Sequence, residues 1–204
     1  MTSFRAIRGW MVGVAVVALL VGSVVVASNM GFKFVPQIPD GQAFNLSLPW
    51  NNNYTNAQSL LTDLGNVTRV AKFEANSAIT NWTGTAGVNF GITKAEAYIA
   101  YGGTGGATPV VVGSHDPNYT LNFTSGQAFN AAAPYHQTLT NAEQLRTDIE
   151  SQFPGSLDRL AKFEADSALT NWTGNAGVNF SLDLGAGVII YTKTDVSGYQ
   201  WPHY

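Results

Sequence analysis

Three histidines and thirteen Asp and Glu side chains, with no cysteine, are the groups from which a metal site or an acid–base pair could be built. A metal needs ligands at a spacing that turns them to one point, such as i and i+4 on a helix or alternate positions on a strand. His115, His136 and His203 have no such spacing. They read as separate loop or interface residues, Asp116 beside His115 being a sequence neighbour only. Glu74 and Glu164 each follow a lysine, Lys72 and Lys162, by two positions, so a same-face ion pair or a solvated strand edge accounts for them. The glycine run Gly102 to Gly106 lacks the Lys and Ser/Thr of a phosphate loop and reads as a turn. Absent cysteine removes thiolate metal sites and a thiol nucleophile. No catalytic residue, metal ligand or cofactor is assigned.

The repeated elements are more specific than any of these. AKFEANSAITNWTGTAGVNF (residues 71–90) returns as AKFEADSALTNWTGNAGVNF (residues 161–180), with 17 of 20 positions identical. Neither copy carries a histidine, so the duplication points to a surface rather than a reaction. Within it, Trp82 and Trp172 read as core or interface anchors, an indole with neighbouring Asn on a sugar ring being the alternative. Upstream, GQAFN at Gly41 recurs at Gly126, and Pro49-Trp50 recurs as Pro134-Tyr135, both 85 residues on. The closing segments GSHDPNY and GYQWPHY align at the same offset, which sets the three histidines against Gln200, Asn51 and Asn118.

These repeats must be carried by regular elements. Phe44, Leu46 and Leu48 alternate with polar residues, the pattern of a half-buried strand. Thr55-x-x-Gln58 and Thr140-x-x-Glu143 read as capping boxes opening one short amphipathic helix per repeat. Residues 70–74 and 79–83 read as a hairpin, and residues 97–101 and 188–191 as buried strands, with 110–112 a further one in the first repeat. The expected fold is mainly β with one short helix per repeat (α+β), an N-terminal transmembrane helix preceding two tandem homologous small domains. The expected boundaries are 1–8 cytoplasmic, 9–28 transmembrane anchor, 29–40 linker or strand, 41–119 first repeat and 120–204 second repeat.

The anchor is read from Arg5 and Arg8 preceding an uncharged apolar run from Trp10 to Ser28. About 20 apolar residues span a bilayer core, and the preceding charges place the N-terminus inside the cell. Gly9, Gly13, Ala18 and Gly22 would let another helix approach closely. The expected placement is the bacterial inner membrane, residues 29–204 outside, with a cleaved leader as the rival reading. Only 11% of residues are charged, against roughly 25% in a typical domain. The net charge of −3 leaves no footprint for nucleic acid.

Asn29-Met30-Gly31-Phe32-Lys33 after the leader, Leu48-Pro49-Trp50, residues 55–60, Asn89-Phe90 and Ala97-Tyr98 together resemble a group of exported bacterial proteins without assigned activity. The second repeat departs at Ala133-Pro134-Tyr135 and Gly187-Val188. The resemblance implies fold and export, not activity. The functional expectation is a non-catalytic accessory subunit held by the bilayer through residues 9–28. Its tandem domains would pack on other subunits of a membrane complex, such as a reaction-centre–antenna or respiratory assembly. A filament or adhesive thread and a carbohydrate-binding module are the alternatives. Phe32, Phe34, Trp82, Trp172, Tyr199, Trp201 and Tyr204 are the interface candidates, because Trp and Tyr join an apolar body to a polar tip.

Overall fold

The computed structural model describes residues 31–203. The first repeat runs β1 (Phe32–Phe34), β2 (Ala43–Ser47), α1 (Ala57–Leu64), β3 (Val67–Phe73), β4 (Ile79–Trp82), β5 (Ala97–Gly102) and β6 (Val111–Gly113). The second runs β7 (Leu121–Phe123), β8 (Ala128–Ala132), α2 (Ala142–Gln152), β9 (Leu157–Phe163), β10 (Leu169–Trp172), β11 (Gly187–Thr192) and β12 (Val196–Tyr199). Each repeat builds one antiparallel four-stranded sheet, ordered β2-β5-β3-β4 and β8-β11-β9-β10. Each adds a two-stranded ribbon, β1-β6 and β7-β12. The segment before the first repeat therefore pairs within its own repeat, Phe34 opposite Val111.

The expected membrane helix is corrected here. The two helices among the described residues have 8 and 11 residues, or about 12 and 17 Å at 1.5 Å per residue, against a hydrocarbon core of about 30 Å. None is long and apolar enough to cross a membrane. Residues 9–28, with Gly9, Gly13, Ala18 and Gly22, lie outside the described residues. The single-pass anchor and the inner-membrane placement find no support and are given up.

Alternation along each strand separates two faces. In β5, Tyr98 and Ala100 join Leu46 and Val70 under α1, which contributes Ala57, Leu60, Leu61 and Leu64. Its other face, Ile99 and Tyr101, lies with Ala71 and Phe73 against Ala161, Phe163, Ile189 and Tyr191 of the second repeat. The order of layers is thus helix, sheet, sheet, helix. Both faces of β5 and β11 are buried throughout. The half-buried expectation for β2 is corrected for the same reason: Ala43, Asn45 and Ser47 are as buried as Leu46 because they face the other sheet. The ribbon strand at residues 110–112 differs the other way, with Val111 buried and Val110 and Val112 exposed.

The two repeats are related by an approximate two-fold rotation, and contacts across it come in reciprocal pairs. Ala43 N donates to Ala165 O at 2.9 Å, and Ala128 N to Ala75 O at 2.8 Å. Ser47 N donates to Gly185 O and Ala132 N to Ala95 O, both at 2.8 Å. In this way the outer edges of β2 and β8, otherwise rows of unpaired amides, are covered by the opposite repeat. Phe73 meets its own counterpart Phe163 edge-on at 6.5 Å. On the same seam the buried amides of Asn45 and Asn130 exchange two hydrogen bonds of 2.9 Å, and Asn130 Nδ2 also donates to Ala97 O at 2.9 Å. The residues after the two prolines close the end: Trp50 Nε1 donates to Ala132 O at 2.8 Å, Tyr135 Oη to Ser47 O at 3.0 Å.

An axis that brings equal residues together leaves no room for both to be large. Ala97 and Gly187 are counterparts, and a Cβ on Gly187 would lie 2.4 Å from Ala97 Cβ and 2.8 Å from Asn45 Nδ2. One methyl fits on the seam and two do not. Gly187→Ala should therefore cost about 1–3 kcal/mol, as overpacked cores do. The double variant Ala97→Gly/Gly187→Ala carries the methyl from the opposite side, with the amide pair re-seated, and should recover most of the loss. Urea unfolding midpoints measure both; a double variant no more stable than Gly187→Ala alone would refute the two-fold account.

Candidate functional site

The near-identical stretch of each repeat is a frame for the helix that packs beside it. The first amides of a helix have no partner within it. In α1, Ala57 N donates to Phe90 O at 2.8 Å, Gln58 N to Asn89 Oδ1 at 2.9 Å and Ser59 N to Asn56 Oδ1 at 2.9 Å. In α2, Ala142 N donates to Phe180 O at 2.9 Å, Glu143 N to Asn179 Oδ1 at 2.8 Å and Gln144 N to Asn141 Oδ1 at 3.0 Å. The capping residues are thus Asn56 and Asn141, one position beyond the expected threonines. In α1 the box closes through Ser59 Oγ, not through Gln58. Gln58 and Glu143 instead accept from Trp82 Nε1 at 3.0 Å and Trp172 Nε1 at 2.8 Å. Both indoles are half-buried against the helices, and their polar tips are already bound within the chain.

Between each Trp and the capping Asn the chain doubles back. Val88 N donates to Asn81 O and Val178 N to Asn171 O, both at 2.9 Å, which covers part of the outer edge of β4 and of β10. Gly87 and Gly177 make this approach, with φ of +97° and +96°; a Cβ there would lie 2.1 and 2.0 Å from the Asn81 and Asn171 carbonyl oxygens. The lysines find partners other than the ones expected: Lys72 bonds Glu96 and Lys162 bonds Asp183, each at 3.1 Å.

What sequence reading missed is the meeting of the three histidines. The His115 ring centroid lies 4.3 Å from both His136 and His203, and those two are 5.6 Å apart, every pair edge-to-face. They arrive from the residues after β6, the loop after β8 and the C-terminal segment. His115 is 5% exposed; its Nε2 is buried without a hydrogen-bond partner, and Trp50 packs on it at 5.2 Å. Phe32 stacks on His136 at 4.9 Å and 22°. His203 Nδ1 lies 2.6 Å from Trp201 O. Desolvation, then the neighbouring His203 and His136, pushes the His115 pKa down to about 4; desolvation and then His203 lower that of His136. Among the described residues no group of three or more His, Cys, Asp or Glu side chains is disposed to hold a metal ion. The signal was in the repeat alignment: all three lie in the motifs, Pro-aromatic-x and the closing heptapeptide, that the two-fold brings together.

The remaining interface candidates are divided. Phe34 packs on Tyr135 at 5.2 Å and occupies the space over Gly185, and Phe32 meets Tyr135 at 6.3 Å, so both bury against the second repeat. Tyr199 and Trp201 are fully buried in the core of the second repeat. Tyr199 Oη donates to Asp148 Oδ2 at 2.7 Å and Trp201 Nε1 to Gln137 Oε1 at 3.0 Å. They close the fold instead of forming a free surface. Tyr204 lies outside the described residues.

The chain matches no family model, no curated protein and no solved structure.

Glu143 supplies a test of the helix–hairpin joint. Arg146 Nε and Nη2 donate to it at 2.7 and 2.6 Å. These bonds first, and that of Trp172 after them, hold its pKa near 2, below the ordinary 4.5. A depressed carboxylate stabilises the fold fully above pH 4.5, and the contribution is lost as pH falls toward 2. Glu143→Gln, which places in the second repeat the residue Gln58 of the first, should keep the indole bond and flatten the stability profile in that window. Unfolding midpoints of both proteins across that window decide it; parallel profiles would remove Glu143 from the acid response.

Proposed function

We propose that the protein is a non-catalytic structural subunit whose two repeats lock into one rigid block that presents the same small surface twice to another protein. One observation carries this reading: several repeated polar groups are bonded inside the chain, and both copies leave large apolar side chains in solvent at the same positions. Asn45 and Asn130 hold each other, Asn89 and Asn179 cap helices, and the two indoles bond the helices. Val88 and Val178 are each 59% exposed, and Ile79 and Leu169 each 38%. Residues 83–89 carry no charge, which fits a neutral, apolar partner face rather than a charged one. A thread built by donating the N-terminal strand loses its premise, because Phe32–Phe34 already pairs with β6.

Two equal surfaces imply equal protection. In hydroxyl-radical footprinting, Val88 and Val178 should be modified readily in the purified chain and protected to similar extents in the native extract. Val88→Asp and Val178→Asp should each lower protection at the altered copy while changing stability by no more than about 0.5 kcal/mol, as surface substitutions do. Equal modification of both valines in extract and in purified protein would overturn the reading.

A further inference from the structure

The histidine cluster is unlike the rest of the inter-repeat seam. Elsewhere the seam is held by the Asn45–Asn130 amides and an apolar layer of Ala, Ile, Phe and Tyr residues. At its end, three imidazoles from three separate segments fill the joint. We infer that these three histidines form a proton-operated latch: as neutral rings they hold the end of the first repeat, the loop after β8 and the C-terminal segment together, and protonation releases that joint while the double sheet stays closed.

Neutral imidazoles pack edge-to-face as these do, centroid to centroid at 4.3 to 5.6 Å. A proton placed on His115 or His136 enters an aromatic surrounding, Trp50 on His115 and Phe32 on His136. A second meets the first within one ring's distance, where little water screens it. The charged groups acting on His115 are His203, His136 and Asp116, and only Asp116 favours the proton. Its carboxylate is already held by Lys94 Nζ at 2.7 Å, and Lys94 itself lies 5.0 Å from the centre of the Tyr119 ring. Tyr135, beside His136, has its hydroxyl committed to Ser47 O. The cluster can relieve a second charge only by separating the segments that carry the rings.

Apart from the Trp201 Nε1–Gln137 Oε1 bond, those segments are joined by few other bonds. Asn51 and Ser114 exchange backbone bonds of 3.0 and 2.9 Å. Asn51 Nδ2 reaches His115 O at 3.2 Å. Thr138 N donates to Pro202 O at 3.3 Å. Local opening of so small a unit leaves the amides of the central seam untouched. The sign follows from the lowered proton affinities: a histidine whose folded pKa lies below its ordinary 6.5 stabilises the closed form above that pH and loses the contribution as pH falls toward about 4.

Amide hydrogen exchange on the full chain, corrected for intrinsic rates, tests this at about pH 7 and about pH 5, where imidazoles change charge. Protection of Ser114 and Thr138 should fall by about ten-fold or more at the lower pH, as for a local opening, with Ala43 and Ala132 unchanged. The chain supplies its own control substitutions, the residues at the two-fold-related positions: His115→Gln, His136→Asn and His203→Asn. The triple variant should lose the pH response. Should it not fold, His136→Asn alone should move the opening to lower pH. Imidazole resonances of the unmodified protein should titrate over a range broader than a single site allows, as coupled groups do. Unchanged protection at Ser114 and Thr138, a loss shared by Ala43 and Ala132, or the same loss in the variant would each overturn the latch, as would three independent one-site titrations.

Discussion

Asn45 and Asn130, both buried, exchange two amide hydrogen bonds across the seam, and the architecture depends on that exchange. A buried amide without a partner costs about 1–3 kcal/mol, so neither repeat can present this face to anything that lacks a matching amide. The counterpart residue in a second copy satisfies that demand by symmetry. The reciprocal edge bonds at Ala43, Ser47, Ala128 and Ala132, the facing Phe73 and Phe163 and the crossed reach of Trp50 and Tyr135 all follow from placing two equal faces about one axis. This is the isologous geometry of a two-fold dimer, contained here in a single chain.

The same constraint explains which parts of the repeat stayed alike. Residues 71–90 and 161–180 perform two equal tasks: each strand pair supports its helix, and each capping loop ends the helix's unpaired amides. Asn89, Asn179, Gly87 and Gly177 have no freedom at their positions, because a side-chain oxygen or the absence of a Cβ is what the geometry uses there. At one point on the axis the copies must differ: Ala97 faces Gly187, because two methyls there compete for one space.

The hairpins, the one helix per repeat and the central strands were legible in the sequence, since periodicity of 2 or 3.6 reports a face that is either buried or not. The second buried face was hidden. Ala43, Asn45 and Ser47 of β2 look like solvent-facing positions, and they are buried only because another sheet of the same composition lies against them. Single-strand patterning cannot distinguish a polar residue in water from one paired across an axis. The histidines were hidden for a related reason: their sequence separations say nothing, and only folding about the axis turns three unrelated loops toward one point. Tyr199 and Trp201 read as surface anchors because aromatic residues near a chain end are unusual, yet Trp201 is one of the largest wholly buried side chains of the second core.

Symmetry and its breaches divide the molecule by role. Identical residues meet across the axis where both fit, as Asn45 meets Asn130 and Phe73 meets Phe163, and unlike ones where only one side chain fits, as Ala97 meets Gly187. Gln200, Asn51 and Asn118 are the two-fold counterparts of the histidines, neutral amides at every pH at which proteins fold. A seam made of amides alone would hold with the same strength in acid and in neutral solution. Replacing one set by imidazoles leaves the neutral packing available and makes it conditional on proton activity, at the one place where the end of the first repeat, the start of the second and the C-terminal segment meet.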